Sequence, residues 1–387
     1  MKICLETSTF RSRFAGIAYY TLFLSRSLLE HETDITLSGF DGSRFRPITP
    51  GLLDAATAAD RVSERKSAQL YNFVRQSPAV RASFRTFKRI QYGRGVGRYD
   101  LFHALNAMPP IFTDRPILPL VHDISHALFA ETHPHERVAW LQRHMRGLDR
   151  YPLINTVSHA SAAEIAAYYG YPIERLRVTY PGVNPAFRSA PSTAATARIS
   201  SLGLTPGQFF LMVSTIEPRK NHATLVEAYA LLPESFRRAY PLVLVGQQGW
   251  GRLHSQALDM LRREGSIRVL GYCDVDLLTA LYAAATAFVF PTLHEGFGIP
   301  VVEAMAVGSP LILSDIPVMH EVAGDVATYL PNRDPARWAA GLQEMAGLGA
   351  AARGELAAAA RLRSERFSWA DNAKATSAIY REILGRG

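Results

Sequence analysis

The sequence is poor in cysteine and has no long apolar run. The two cysteines, Cys4 and Cys273, exclude a disulfide framework or a cysteine-based zinc cluster and favour a reducing compartment. No apolar stretch approaches the roughly 18 residues that a membrane-spanning helix needs. The acidic residue Glu6 follows the start too closely for a signal peptide. The composition therefore predicts a cytoplasmic protein.

Charged residues are also few, at 20% of the chain against 48% hydrophobic residues, a profile that excludes a disordered protein. The 387 residues predict two domains of about 190 residues each. The net charge of +8 is unevenly distributed, because most of the basic excess lies between residues 61 and 98. The first domain is therefore basic, and the second is close to neutral.

Short apolar strands alternate with amphipathic helices along the chain. This alternation predicts α/β domains, each with a parallel sheet wound on both faces. Residues 185–207 interrupt the pattern with proline, serine and glycine, and the pattern then restarts. We therefore predict one domain over residues 1–190 and a second over residues 207–368.

The densest motif occupies residues 294–305, after the apolar strand that ends at Phe290. A strand, a glycine-bearing loop and a helix start form a cradle for phosphate and hydroxyl groups in α/β folds. Gly296 and Gly298 allow a ligand to approach the backbone. Glu295 and Glu303 are spaced to accept hydrogen bonds from two diols of one ligand. The alternative is an ordinary glycine-rich turn with a solvated acid.

A second motif, residues 214–221, follows the first strand of the second domain and contains Arg219 and Lys220. Adjacent cations at the carboxyl end of a strand suit a diphosphate, although a solvated basic turn is the alternative. Asp274 and Asp276 resemble a metal-binding pair. We interpret them instead as a helix N-cap and a first-turn acid, without a metal.

Taken together, these motifs resemble retaining glycosyltransferase family 4, which has the GT-B fold. The Glu295 to Glu303 spacing matches its E-x7-E signature, and residues 215–221 match its T-x-E-P-R-K-N segment. The resemblance extends over nearly the whole chain and is weakest from residue 42 to 98. It implies two Rossmann-like domains facing a central cleft, with residues 369–387 returning to the N-terminal, acceptor-binding domain.

The resemblance also implies roles for individual residues. The implied catalytic residues are His122 and Glu295, and the donor-binding residues are Gly16, Arg219, Lys220, Gly271, Tyr272, Gly296, Phe297, Gly298 and Glu303. Glu295 and the glycine loop would hold the donor sugar, Glu303 the ribose, the two cations the diphosphate, and Gly271 with Tyr272 the base. Ser214 stands where some members have an additional phosphate-binding arginine.

Two features of the first half have structural alternatives. His122 ends a strand beside Asp123, and the alternative to a catalytic role is a structural histidine. Ser158 and Ser161 are interpreted as the cap of the next helix. Residues 77–88 predict an amphipathic helix with a basic stripe, which suits either an anionic membrane surface or a core-facing helix. No nucleic-acid motif accompanies the basic segment, so a nucleic-acid partner is not expected.

The resulting prediction is a metal-independent retaining hexosyltransferase without a cofactor. Its donor substrate would be a nucleotide-sugar. The motifs look most like those of mannosyl- and rhamnosyltransferases of bacterial surface polysaccharides, so the leading donor is GDP-mannose or a GDP-deoxyhexose such as GDP-rhamnose. Its acceptor would be a lipid-linked saccharide, reached from the cytoplasm at the inner face of the plasma membrane. The alternatives are another GT-B enzyme, such as an epimerase or a phosphorylase, and a non-catalytic binder of anionic lipid or nucleic acid.

Overall fold

The computed structural model of the protein describes residues 1–11, 16–58, 92–106, 113–251 and 253–386. In the N-terminal half, the described strands form a seven-stranded sheet in the order β3-β2-β1-β4-β5-β6-β7. All neighbours are parallel except β2 and β3. The strands are β1 (Lys2–Glu6), β2 (Thr36–Phe40), β3 (Phe45–Pro47), β4 (Leu101–Ala104), β5 (Ile117–Val121), β6 (Ile154–Thr156) and β7 (Leu176–Val178). The helices with these strands are α1 (Gly16–His31), α2 (Pro50–Ala58), α3 (Ser125–Leu128), α4 (His135–Met145) and α5 (His159–Tyr169).

The second sheet has six described strands in the order β10-β9-β8-β11-β12-β13, and all its pairs are parallel. Its strands are β8 (Phe210–Val213), β9 (Leu242–Val245), β10 (Ile267–Gly271), β11 (Ala287–Phe290), β12 (Leu311–Ser314) and β13 (Ala327–Leu330). The central strands are continuous apolar runs, such as the fully buried Leu242–Val245, because helices cover both faces of the sheet. The edge strand β13 is half-exposed, and the sequence analysis did not predict it.

The helices of the second half begin with α6 (Thr193–Ser201), α7 (His222–Leu231), α8 (Glu234–Ala239), α9 (Gln256–Arg263), α10 (Val275–Ala284) and α11 (Ile299–Val307). They continue with α12 (Pro317–Ala323), α13 (Pro335–Gly347), α14 (Ala350–Ser364) and α15 (Trp369–Leu384). The alanine-rich stretch from 335 to 366 forms two helices, which are divided at Leu348 and Gly349. The Asp274 side chain accepts a hydrogen bond from the Leu277 amide at 2.9 Å, so it caps α10 as predicted.

The last helix, α15, packs against α1 of the first half. The Tyr380 hydroxyl lies 2.7 Å from Nδ1 of the buried His103 on β4. Arg381 pairs with Glu32 at 2.8 Å and with Asp34 at 3.1 Å. These contacts explain how a segment that follows the second sheet becomes part of the first half of the molecule.

In the part of the chain that the structure describes, no helix combines the length and the apolarity required to cross a bilayer. The amphipathic helix predicted over residues 77–88 lies outside the described residues.

Candidate functional site

The cleft lies at the carboxyl ends of the strands, and the second sheet places two motifs there together. Strand order in this sheet reverses between β8 and β11, which are neighbours. Ligands of open α/β sheets bind at such a reversal point. The segment with Arg219 and Lys220 follows β8, and the loop with Glu295 follows β11. Two motifs about 75 residues apart in the sequence therefore meet at one edge of the sheet.

Glu295 lies between the two cations in a buried ionic cluster. One carboxylate oxygen pairs with Nζ of Lys220, and the other lies 3.3 Å from a guanidinium nitrogen of Arg219. The Thr292 hydroxyl donates a further hydrogen bond to Glu295 at 3.0 Å. Arg219 also donates to Glu217 at 3.0 Å and to the His294 carbonyl at 2.6 Å. Each of the three charged side chains is only about a tenth exposed.

The charges in this cluster stabilise one another. Burial alone would raise the pKa of Glu295, but Lys220 and Arg219 outweigh it and hold that pKa below its usual value. Burial acts to lower the pKa of Arg219, and Glu295 and Asp123 reverse the effect. Glu295 and Arg219 therefore each favour the charged form of the other. The buried Nε of Arg219 has no hydrogen-bond partner among the described residues.

The rest of the motif forms a glycine turn and a helix start. Gly298 has a φ of 95°, which favours glycine, and it precedes the first turn of α11 without a side-chain cap. Glu303 lies further along this helix and accepts a hydrogen bond from the Tyr282 hydroxyl of α10 at 3.2 Å. Burial raises the pKa of Glu303 to about 8, against the lowering effect of that bond. Glu303 is therefore separate from the ionic cluster in both position and electrostatics.

Gly271 is the last residue of β10 and Tyr272 follows it, and both line a cavity of about 540 Å³. Gly246, at the end of β9, lies in the same cavity. Tyr272 is 55% exposed, so its ring is accessible at the surface of the second half. The predicted base-binding pair therefore lies, like the cations, at the carboxyl ends of the strands, and its strand is two positions away from β8 in the sheet.

On the N-terminal side, His122 follows β5 directly. Its Nε2 donates to the Leu105 carbonyl at 2.9 Å, which leaves Nδ1 as an acceptor. Burial lowers the pKa of His122, although the Leu105 bond and Asp123 act in the opposite direction. Burial would raise the pKa of Asp123, yet Arg219, His294 and the Ser125 hydrogen bonds leave it well below its usual value. A neutral histidine and an ionised aspartate therefore stand next to each other at this edge.

The two sides of the cleft are in direct contact at Gly296. A Cβ atom there would lie 2.2 Å from the His122 carbonyl oxygen, so a side chain would push the domains apart. Ser158 and Ser161 donate to the Gly296 carbonyl at 2.6 and 3.1 Å. Ser158 caps α5, as predicted, but it also binds the motif loop of the other half, which the sequence analysis missed. Gly16 faces the same place, with Ile299 of α11 the nearest side chain.

Three further contacts across the cleft were also missed. Glu164 lies 2.9 Å from Nε2 of His294. Glu321 accepts from the backbone amides of His159 and Ala160 at 2.6 and 2.8 Å, at the start of α5. The Trp250 indole donates to the Thr132 carbonyl at 2.7 Å. These partners are more than 100 residues apart in the chain, and no local pattern marks them.

The structure therefore brings Glu295, Arg219 and Lys220 into one cluster, with His122 and Gly16 across the cleft from the motif that carries it. Within the described ranges, no group of three or more His, Cys, Asp or Glu side chains is arranged to hold a metal ion.

Two Rossmann-like parallel-sheet domains that face each other across such a cleft define a GT-B glycosyltransferase. The chain matches two family models, "Glycosyltransferase Family 4" over residues 14–187 and "Glycosyl transferases group 1" over residues 198–361. It belongs to glycosyltransferase family 4, as the motifs predicted, and it is a glycosyltransferase.

Individual relatives agree with this assignment. The chain is 31% identical to the O-antigen chain mannosyltransferase B of Escherichia coli, over 86% of this chain and 87% of that protein. The structure of HepE from Anabaena, in complex with UDP and glucose, superimposes with a TM-score of 0.70 at 18% identity, over 99% of this chain and 100% of that one. WaaG, a glycosyltransferase involved in lipopolysaccharide biosynthesis, superimposes with a TM-score of 0.66 at 16% identity, over 98% and 99%. Because their sequence identities are only 18% and 16%, these two structures bear on the fold alone, and they support the predicted GT-B fold.

Proposed function

We propose that this glycosyltransferase moves a hexose from a nucleotide-sugar to a lipid-linked saccharide in bacterial O-antigen synthesis. The leading donor is GDP-mannose, followed by a GDP-deoxyhexose. The observation that carries the donor site is the buried cluster of Arg219, Lys220 and Glu295, in which the Nε of Arg219 has no partner among the described residues. The O-antigen mannosyltransferase of Escherichia coli supports the choice of sugar and pathway.

In the proposed reaction, the bond from the anomeric carbon to the β-phosphate oxygen breaks, and negative charge develops on the departing diphosphate. The two cations stabilise that charge, a preorganised electrostatic effect that supplies what a metal ion provides in other transferases. The acceptor hydroxyl attacks from the same face, so the configuration is retained, and its proton leaves with the diphosphate. Glu295 accepts hydrogen bonds from the donor sugar once Lys220 turns to the phosphate.

The remaining site residues have the following roles in the proposed reaction. Gly296, Phe297 and Gly298 present backbone groups to the sugar, and Gly16 admits the diphosphate from the opposite side. Glu303 binds the ribose diol, and Gly271 with Tyr272 flanks the base. His122, whose Nδ1 is an acceptor, receives a hydrogen bond from the donor sugar at the reaction centre. The enzyme needs neither a cofactor nor a metal ion, and its basic charge holds it at the anionic inner membrane surface.

Thermal unfolding with GDP, UDP, ADP and dTDP and their sugars tests the donor. A ligand at about 100 times its Kd stabilises the protein by about 2.7 kcal/mol, which gives a measurable rise in Tm. We expect GDP and GDP-mannose to raise the Tm equally with and without EDTA. Product analysis by NMR then identifies the anomeric configuration. Stabilisation by a different nucleotide would overturn the assignment of GDP as the donor nucleotide. The absence of stabilisation by any nucleotide would contradict the proposed function.

A further inference from the structure

Glu217 is a buried carboxylate beside the two cations of the ionic cluster, and the proposed reaction does not use it. Its side chain is only 4% exposed, and it accepts a hydrogen bond from Arg219 at 3.0 Å. It also stands at the start of the short helical turn Pro218–Lys220, where its backbone carbonyl accepts from the Lys220 amide at 3.1 Å. Glu217 therefore holds both cations, Arg219 through its side chain and Lys220 through its backbone.

Acidic groups outnumber basic groups around the guanidinium of Arg219. Glu217 and Glu295 contact it directly, and the charge of Asp123 acts on it from across the cleft. Lys220 adds a second positive charge, which pairs with Glu295. Counted as ionised groups, three carboxylates thus face two cations. A nucleotide-sugar adds the negative charge of its diphosphate, and buried charges are costly unless they are compensated.

The other neighbours of Glu217 supply no compensating charge. The loop after β9 packs against it, since a Cβ atom on Gly249 would lie 3.6 Å from the Glu217 Cβ. The described residues 246–251 of that loop include no titratable side chain. His222 lines a small cavity together with Glu217, and burial lowers the pKa of His222 to about 4, so its imidazole is neutral near pH 7.

The three carboxyl groups near Arg219 differ in how they are held. The pKa of Glu295, which both cations contact, lies below its ordinary value, and so does the pKa of Asp123. Among the described residues, the Glu217 side chain accepts a hydrogen bond from Arg219 alone. Burial raises the pKa of Glu217 and Glu295 acts in the same direction, although Arg219 and Lys220 oppose the shift. Glu217 is therefore the carboxyl group best placed to be neutralised when Arg219 turns its charge to a diphosphate.

We propose that Glu217 is a positioning residue for Arg219 and that it takes up a proton when the nucleotide-sugar binds. The proton comes from the solvent and converts the carboxylate into a neutral carboxylic acid, which offsets part of the charge that the diphosphate brings. The carbonyl oxygen of this acid still accepts from Arg219, so the guanidinium keeps its place. The inference rests on the proposed function and specifies how its donor site responds to pH.

Calorimetric titration of the full-length protein with GDP-mannose, from pH 5 to pH 9, tests this inference. GDP-mannose is the probe because its diphosphate does not ionise near neutral pH, whereas the terminal phosphate of GDP does. The complex holds a proton that the free protein has released, so the Kd should rise with pH by up to about tenfold per pH unit. Titrations in buffers of different ionisation enthalpy count the proton, and we expect an uptake that approaches about one per GDP-mannose.

Variants of Glu217 identify the group that takes up the proton. Glu217→Gln keeps an acceptor for Arg219 but cannot be protonated, so its Kd should not depend on pH. At the highest pH it should therefore bind GDP-mannose more tightly than the wild type does. Glu217→Ala also loses the acceptor and should bind at least about tenfold more weakly than Glu217→Gln. Glu264→Gln alters a partly buried pair with Arg237, outside the cluster, and is the matched control with wild-type pH dependence.

The outcomes separate the inference from the proposed function. GDP-mannose binding without proton uptake by the wild type would overturn the inference alone. Proton uptake that persists in Glu217→Gln would assign the proton to another group of the cleft and would also overturn it. Binding of a UDP-, ADP- or dTDP-sugar in place of GDP-mannose, with uptake that depends on Glu217, would uphold the inference and overturn the proposed donor. Binding of none of these nucleotide-sugars would overturn both.

Discussion

The two sides of the cleft are built from different chemistry. The C-terminal side places two cations and two carboxylates in one buried cluster, formed by the short segments 217–220 and 292–295. The N-terminal side presents histidines with lowered pKa values and aromatic rings, drawn from β5, α3 and α4 and the turns between them. The buried ion pairs of the charged motif are therefore concentrated on one side, and the histidines and aromatic rings lie on the other.

This difference suits the two tasks of a glycosyltransferase, which are stabilising the leaving group and recognising the acceptor. A leaving diphosphate needs fixed positive charge, and buried charges need partners nearby, so their residues cluster in the sequence motifs that follow two adjacent strands. An acceptor saccharide needs shape and hydrogen bonds, which many separate segments can provide. The following predictions test that division, from the largest expected effect to the smallest.

Glu295→Gln should have the largest effect. We expect transfer to fall by at least about 100-fold, because the group that we assign to the donor sugar loses its charge. The Tm should also fall, since Arg219 and Lys220 lose their common partner, and breaking a buried pair costs about 3 kcal/mol. Saturating GDP should restore more of the Tm than it adds to the wild type, because its phosphates replace the lost charge.

The control for this substitution is Glu234→Gln, which breaks an exposed pair with Arg238. It should leave both transfer and Tm unchanged. Wild-type transfer by the Glu295→Gln variant would remove this carboxylate from the site and would leave the charged side of the cleft without its proposed role.

Lys220→Met should follow in size. The substitution keeps the length of the side chain and removes the charge that we assign to the diphosphate. We expect the KM for the donor to rise at least about tenfold, with the KM for the acceptor unchanged, because a charge-assisted hydrogen bond is lost on one side of the cleft. Steady-state kinetics with each substrate varied in turn measure both constants. Arg238→Met is the control, and an equal rise in both KM values would contradict the division between the two sides.

His122→Asn should have a smaller effect on rate, of about tenfold, because it removes the one hydrogen bond to the donor sugar that we propose for this side chain. Since burial holds the pKa of His122 below its ordinary value, any titration of this imidazole falls at a lower pH than that of an ordinary histidine. The wild type should therefore show no inflection in kcat at the ordinary histidine value. Pre-equilibrated pH–rate profiles of the wild type, of His122→Asn and of the exposed-histidine control His254→Asn check this expectation. An inflection near pH 6.5 that disappears only in His122→Asn would contradict it.

Glu303→Gln should have the smallest effect and acts through stability. The folded pKa of Glu303 is raised to about 8, so between its unfolded value and pH 8 the folded state holds a proton that the unfolded state has released. Stability must therefore fall as the pH rises across this window and level off above it. Glu303→Gln lacks this loss, so its Tm relative to the wild type should rise from pH 5 to pH 8. A difference in Tm that stays constant with pH would show that the carboxyl is ionised in the folded protein.

The charged motifs could be predicted from the sequence because each of them is a short segment of the chain. The spacing from Glu295 to Glu303, the pair Arg219 and Lys220, and the glycines of the motif are all local patterns. The strand and helix alternation gave the parallel sheets in the same way. The edge strand β13 was missed because its half-exposed residues lack a continuous apolar run.

The sequence by itself determined the two α/β halves, the family and the charged motif, since these depend on periodicity and on residues a few positions apart. Only the tertiary structure decided which residues of the N-terminal side contact that motif. Gly296 packs against His122, Ser158 donates to the Gly296 carbonyl, and Trp250 donates to the Thr132 carbonyl. Each of these contacts joins residues more than 100 positions apart. Such contacts depend on how the two sheets meet, and that arrangement is set by packing across the cleft rather than by any local pattern.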